Sequence, residues 1–80
     1  MHEIHILKDL FEDLQKQAEA HRISKVTKVY LRMGEFTEIN EKILRYFFES
    51  HSAGTLLEGA VLEIERSPTR ELRLVSFDAD

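Results

Sequence analysis

The stretch VTKVYLRM, from Val26 to Met33, alternates in a way that decides the fold around it. One set of side chains repeats at every second position, and Lys28, Tyr30 and Arg32 fill the positions between them. The first set is Thr27, Val29, Leu31 and Met33. Because successive side chains of a strand point to opposite faces of a sheet, this period of two predicts a half-buried strand. Gly34 follows directly and predicts a break.

A helical period precedes the strand. The apolar residues at this spacing are Leu7, Leu10, Phe11, Leu14 and Ala18. Charged residues fill the other face, so the pattern predicts an amphipathic helix. It should begin a few residues after the N-terminus and end near His21.

A second helix is predicted after the strand. Asn40 is a good N-cap, and Glu41 places negative charge at the positive end of the helix dipole. The expected apolar stripe is Ile43, Leu44, Phe47 and Phe48. The helix should end around residues 53–54.

Two further strands are predicted, one from Val61 to Arg66 and one from about Arg70 to Phe77, joined by the turn Ser67-Pro68-Thr69. The predicted fold class is α+β, with two helices packed on a three-stranded mixed sheet in the order α-β-α-β-β. The strand–helix–strand unit should form a right-handed crossover, with its strands parallel or near neighbours. The short turn predicts that the last two strands form an antiparallel hairpin.

Composition restricts the class of protein. The chain has 80 residues, a net charge of −4 and no Cys. Absence of Cys excludes disulfides and Cys-ligated zinc or iron–sulfur sites. Dispersed positive charge, with Lys25, Lys28 and Arg32 flanked by acidic residues, argues against a nucleic-acid partner and favours a solvated strand face. No apolar run is long enough for a membrane span and no secretory signal is visible, so we expect a cytoplasmic protein.

Catalysis is not indicated. The chain has no Cys nucleophile, no Gly-rich phosphate loop and no recognisable Ser/His/Asp arrangement. We therefore predict that the protein is not an enzyme. For two histidines we predict structural roles. His21 lies at the end of the first predicted helix, where its charge suits the helix dipole. His51 continues the apolar stripe of the second helix and is expected to be partly buried with its hydrogen bonds made.

His2 differs because it follows the initiator Met1. The terminal amine, the His2 backbone nitrogen and its imidazole can chelate one ion, and the Glu3 amide adds a fourth nitrogen. A planar nitrogen set favours Ni(II) or Cu(II) over zinc. The amine (pKa roughly 7.7–8.0) and the imidazole (roughly 6.5) must lose protons, so affinity should fall in mild acid. Taken alone, the pattern favours an ordinary frayed terminus over a metal site.

A family resemblance changes this balance. The segments that carry it are the opening Met1-His2-Glu3, KVTKVYLRMGEF (25–36), LRYFFE (44–49) and AGTLLEGAVLEI (53–64). Together they resemble the nickel-binding domain of the HypA/HybF family, the nickel-incorporation proteins of hydrogenase and, in some organisms, of urease. The resemblance runs without a gap from Met1 to about Pro68.

The resemblance implies a nickel metallochaperone domain. Family members bind nickel with their first three residues, which implies a Ni(II) site at Met1, His2 and Glu3 here. It also implies delivery to an accessory GTPase or to the large subunit of [NiFe]-hydrogenase.

The chain departs from the family at two places. Members carry a zinc domain with two Cys-x-x-Cys pairs after the strand that ends near Pro68, whereas this chain has no Cys, so no zinc is expected. Because residues 70–77 resemble the strand that returns from that domain, we infer a single nickel-binding domain over residues 1–80. The zinc domain would have been excised between about residues 67 and 70. The second departure is His5, where a small polar residue is common in relatives; it could approach the same ion as His2, or be a plain surface histidine.

Two alternatives remain open from the sequence. The chain could be a truncated protein-interaction module that keeps the fold but has lost metal delivery. An edge strand in a three-stranded sheet also leaves open a strand-swapped homodimer.

Overall fold

Five regular elements follow one another in the computed structural model, which describes residues 2–37 and 39–80 and, within them, the side chains from His5 onward. They are α1 (His2–Ala20), β1 (Val26–Gly34), α2 (Glu41–Ser52), β2 (Val61–Ser67) and β3 (Leu72–Ala79). Two helices and a three-stranded mixed sheet in this order confirm the predicted fold class.

α1 begins earlier than its apolar spacing predicts. Among the described side chains of α1, Leu7 is the first that is fully buried, yet the helix starts at His2. Once Leu7 fixes the helix against the core, the preceding residues extend it, because their carbonyls accept from N–H groups four residues later. The helix therefore carries the backbone of the N-terminal residues as its first turn.

α1 ends in a Schellman motif. Ile23 N donates to Ala18 O at 2.9 Å, and Arg22 N donates to Glu19 O at 3.0 Å. Arg22 occupies the left-handed region, with φ of 58°. Glycine is the usual residue there, because a Cβ is strained in that conformation. The half-buried Ile23 then returns the chain to the core.

β1 is the central strand, in the sheet order β2-β1-β3. β2 pairs with it in parallel, as predicted for the strand–helix–strand unit. Val29, Leu31 and Met33 face the helices, whereas Thr27 is only half-buried and Val26 is fully buried in its place. A shift of register between Val26 and Lys28 explains this difference, because an irregularity there changes which residue faces inward.

The predicted hairpin between the last two strands is wrong. β3 pairs antiparallel with β1, so β2 and β3 lie on opposite sides of the central strand. Because β2 is parallel to β1, it ends beside Gly34, and residues 68–71 cross the end of β1 before β3 starts opposite Met33. A short turn allows two successive strands to pair as a hairpin but does not require it. Here the free edge of β1 is also within reach of β3, and β3 pairs there instead of with β2.

The crossing is held by backbone hydrogen bonds. Gly34 N donates to Glu71 O at 2.7 Å, Glu35 N to Ser67 O at 2.7 Å and Phe36 N to Thr69 O at 3.0 Å. A Cβ at position 34 would overlap the Thr69 carbonyl oxygen. Glycine is therefore required at position 34 for close approach of backbone to backbone.

α2 starts as predicted at its Asn40 cap, whose Oδ1 accepts from Ile43 N at 2.8 Å. Leu44, Phe47 and Phe48 are buried as predicted. Ile43 was expected in the same apolar stripe, but it is 47% exposed and lies outside the core. Ile43 lies just beyond the edge of the arc that the three buried residues occupy on the helix. Phe11 of α1 joins the helices by packing against Phe48, with ring centroids 5.1 Å apart.

The other face of the sheet is polar. Lys28 pairs with Glu63 at 3.7 Å, and Arg32 pairs with Glu65 at 2.9 Å, as expected of a solvated strand face. The Tyr30 hydroxyl donates to Asp78 Oδ2 at 2.8 Å. This hydrogen bond and the negative charge of the carboxylate raise the pKa of Tyr30.

Substitution of Gly34 by Ala should destabilise the protein by about 2–3 kcal/mol, because two backbones must separate to admit the methyl group. Urea unfolding followed by circular dichroism measures the change. Gly59→Ala is the matched control: position 59 has φ of 80° and open space around it. It should therefore cost only about 1 kcal/mol, from conformation alone. Equal losses in the two variants would contradict the crossing as the cause.

Arg22→Gly should give a more stable protein than Arg22→Ala, by about 1 kcal/mol. Both variants remove the guanidinium, so their difference isolates the left-handed backbone conformation. The free energies of unfolding from urea titration measure it. An alanine variant as stable as the glycine variant would show that this conformation carries no strain.

Candidate metal centre

Two of the three predicted nickel ligands, His2 and Glu3, belong to the first turn of α1. Met1 lies outside the described residues. The backbones of His2 and Glu3 open the helix, and their side chains lie outside the description. The predicted ligand set of Met1, His2 and Glu3 therefore remains a prediction.

The backbone of this turn suits nitrogen chelation. The first four N–H groups of an α-helix have no carbonyl partner within the helix. Since α1 begins at His2, the amide nitrogens of His2 and Glu3 belong to this set. A metal can replace their protons without breaking a helical hydrogen bond. The positive end of the helix dipole also favours the negative charge that such a deprotonated nitrogen carries.

His5 is exposed on α1, three residues after His2. Residues three apart lie on the same side of a helix, about one turn apart. This position is compatible with a ligand to the same ion and with a plain surface histidine, so both interpretations of His5 stand.

The other two histidines lie elsewhere. His21 follows α1, where its backbone N–H bonds to Gln17 O and Ala18 O in the last turn, each at 3.2 Å. It is separated from His5 by 16 residues, or roughly 24 Å of helix. Its predicted position at the helix end is confirmed.

His51 stacks on Phe47 in α2, with ring centroids 3.9 Å apart and an angle of 11° between the planes. Its Nδ1 lies 3.1 Å from Phe47 O, so the tautomer protonated at Nδ1 donates a hydrogen bond there. The imidazole therefore has a hydrogen-bond partner and a stacking partner within the fold, as predicted. The residue is exposed, however, and not partly buried as expected. Sequence spacing suggested the Phe47 contact, but burial depends on the neighbouring helix.

Two other features bear on the choice of site. Within residues whose side chains the structure describes, no three His, Cys, Asp or Glu groups come together to hold a metal ion. A cavity of about 130 Å³ lies between the helices, and its lining includes the core aromatics Phe11, Phe47 and Phe48 together with Lys8, Glu12 and His51. This lining is mostly apolar and is typical of imperfect packing between helices. The first turn of α1 is thus the better candidate.

The length and apolar character of the helices determine whether they could span a membrane. Over the part of the chain that the structure describes, none combines the length and the apolar character needed to cross a bilayer.

Comparisons with known proteins agree with the resemblance in the sequence. The sequence model of a family described as "Hydrogenase/urease nickel incorporation, metallochaperone, hypA" matches residues 1–72. Hydrogenase maturation factor HypA of Nitrosospira multiformis is 39% identical over 70 residues, which cover 88% of this chain and 61% of that protein. Hydrogenase maturation factor HybF of Salmonella typhimurium is 34% identical over 70 residues, covering 88% of this chain and 62% of that protein.

A solved structure has the same fold. It is the solution structure of the Ni metallochaperone HypA from Helicobacter pylori, with a TM-score of 0.78, 14% identity and coverage of 95% of both chains. At this identity the likeness establishes the fold alone. The chain spans about three fifths of the length of the curated relatives it matches. By its family match and by these relatives, the chain belongs to the HypA/HybF family of hydrogenase maturation factors, described as metallochaperones of nickel incorporation.

Proposed function

We propose that this chain is a nickel-binding metallochaperone domain that holds Ni(II) at Met1, His2 and Glu3. Nickel is its cargo, delivered during the maturation of [NiFe]-hydrogenase or, as the family description allows, of urease. The supporting observation is that the family match begins at residue 1 and includes Met-His-Glu, of which His2 and Glu3 open α1 with their backbones.

The chemistry of the first turn supports this assignment. The terminal amine, the amide nitrogens of His2 and Glu3 and the His2 imidazole are four nitrogen donors close in sequence. Such a set favours the planar geometry that Ni(II) accepts and zinc does not. The amides of this turn are free of helical acceptors, so binding leaves the hydrogen bonds of α1 intact.

Delivery requires that the ion be released to a partner. We infer that the accessory GTPase and the hydrogenase large subunit, in the cytoplasm, are the partners. A terminal chelate suits transfer, because an acceptor can displace its ligands one at a time without opening the core. Protonation of the amine and imidazole also weakens the chelate, which gives a local means of release.

The zinc domain is proposed to be missing between about residues 67 and 70. β2 ends at Ser67, β3 starts at Leu72 and the residues between them are exposed. An exposed connection between two strands is where a domain can be gained or lost without a change in the core. The second candidate function, a protein-interaction module without metal delivery, draws support from this same departure.

His2→Ala should weaken nickel binding by on the order of 100-fold or more, since even the loss of a partner to a ligand typically costs 10–100-fold. Calorimetric nickel titration of untagged protein measures this. His21→Ala is the matched control and should bind like the wild type, because its position is at the other end of α1. Equal affinity in the His2→Ala variant and the wild type would exclude the proposed site, as would full binding with the terminal amine blocked.

Nickel affinity should fall steeply from about pH 8 to about pH 6, because the amine (ordinary pKa roughly 7.7–8.0) and the imidazole (roughly 6.5) must both lose protons to bind. Titration at several pH values measures the dependence. His2→Ala should show a shallower one, since it lacks the imidazole. An affinity independent of pH in the wild type would contradict nitrogen chelation at the terminus.

Rescue of hydrogenase activity in cells without their own HypA distinguishes the two functions. Restored activity that depends on His2 would support delivery. Tight nickel binding without rescue would support the interaction module. The absorption spectrum of the nickel-loaded, untagged chain adds the geometry, because planar and octahedral Ni(II) differ in their visible bands.

A further inference from the structure

The cavity of about 130 Å³ between α1 and α2 has a lining of two kinds. Its buried part is mainly aromatic and includes Phe11, Phe47 and Phe48. The lining also includes polar residues that are exposed, namely Lys8, Glu12 and His51. A mostly apolar space with a few polar groups is the usual make-up of a small-molecule site.

The volume of the cavity limits which molecules fit. An engineered apolar cavity of about 150 Å³ stays dry and binds benzene. At about 130 Å³, this cavity has room for one ring of that kind and not for a fused ring system. Aromatic rings pack favourably at centroid distances of roughly 4.5–7 Å, and Phe11 already packs in this range on Phe47 and Phe48. A further aromatic ring in the cavity would extend this cluster.

His51 brings one hydrogen-bond acceptor to the cavity. Its Nδ1 lies 3.1 Å from Phe47 O, and a carbonyl oxygen can only accept, so the bonded tautomer carries its proton on Nδ1. In the neutral imidazole, Nε2 is then an acceptor. Within the described part of the chain, the ring makes no hydrogen bond other than the one through Nδ1. Stacking on Phe47, with 11° between the ring planes, also holds the imidazole in place.

Charge and hydrogen bonding at the cavity favour a neutral ligand that carries a donor. Lys8 and Glu12 are four residues apart on α1 and therefore neighbours, and their opposite charges largely cancel. The buried Ser52 hydroxyl also lines the cavity, but it donates its proton to Glu49 O at 3.3 Å. The free acceptor at His51 Nε2 is therefore best matched by an O–H of the ligand.

We propose that this cavity is a binding site for a small neutral phenol. The aromatic ring of the ligand lies against Phe11, Phe47 and Phe48, and its hydroxyl donates to Nε2 of His51. The hydroxyl exchanges a hydrogen bond to water for one to the protein, whereas benzene makes neither. Because α1 and α2 both line the cavity, the ligand also stabilises the folded chain by binding between its helices.

The test is titration of the full, untagged chain with phenol and, separately, with benzene, followed by amide NMR spectra in the presence of a chelator that removes nickel. We expect saturable shifts at the amides of the lining residues, with a dissociation constant for phenol on the order of 1 mM. Benzene should bind roughly 10-fold more weakly, because it lacks the hydrogen bond to His51. Benzoate should also bind more weakly than phenol, since it is charged and has no donor.

Variants separate the hydrogen bond from the cavity itself. His51→Phe keeps a ring that can stack on Phe47 but removes Nε2, so it should bind phenol and benzene with equal affinity. Ser52→Leu extends a buried side chain into the cavity and should abolish the binding of both ligands. Ser50→Leu is the matched control and should bind like the wild type, because Ser50 is exposed on the same helix and is not part of the lining. Circular dichroism establishes that each variant is folded.

Three results would overturn the proposal. The first is the absence of saturable binding, with shifts that are small, linear in phenol concentration or spread over the whole surface. The second is equal affinity of the wild type for phenol and benzene, or a preference for phenol that persists in the folded His51→Phe variant. The third is a set of nuclear Overhauser contacts from the bound ligand that omits Phe11, Phe47 and Phe48. These measurements do not involve nickel, so failure here and failure of the proposed nickel site are distinguishable.

Discussion

The pairing of β1 on both of its sides is the constraint on which the rest of the structure depends. β1 is the only strand that contacts two others in the described sheet, and Val26, Val29, Leu31 and Met33 bury its inner face. For β3 to reach the free side, the chain must cross the end of β1 in four residues. Gly34 permits this crossing because its lack of a Cβ lets the Thr69 carbonyl approach. One small residue thereby determines where the last strand lies.

The same core determines how the chain presents its N-terminus. Leu7, Leu14 and Ala18 are completely buried, and Phe11 packs on the aromatic rings of α2. α1 is therefore anchored from Leu7 to Ala18, and the amides of His2 and Glu3 lie in the turn that precedes this anchored part.

The elements were predictable because their signals are local. The period of two in β1, the helical spacing in α1 and the Asn40 cap each describe neighbours along the chain, and the structure confirms them. Predictions that needed distant partners were less accurate. The last two strands were expected to form a hairpin, and Ile43 was expected in the core. Whether a strand finds its sequence neighbour or β1, and whether a helix face meets another layer, depends on residues far away in the sequence.

The candidate site shows the same division. The sequence by itself determined the donors proposed at the terminus, Met1, His2 and Glu3, and through its resemblance the family to which the chain belongs. Covalent proximity is sufficient for this, because consecutive residues can chelate one ion without the help of a fold. Only the tertiary structure decided that β1 is central and that β2 and β3 lie on opposite sides of it. These properties arise when segments far apart in the chain compete for the same hydrogen-bonding groups, and that competition is settled by packing.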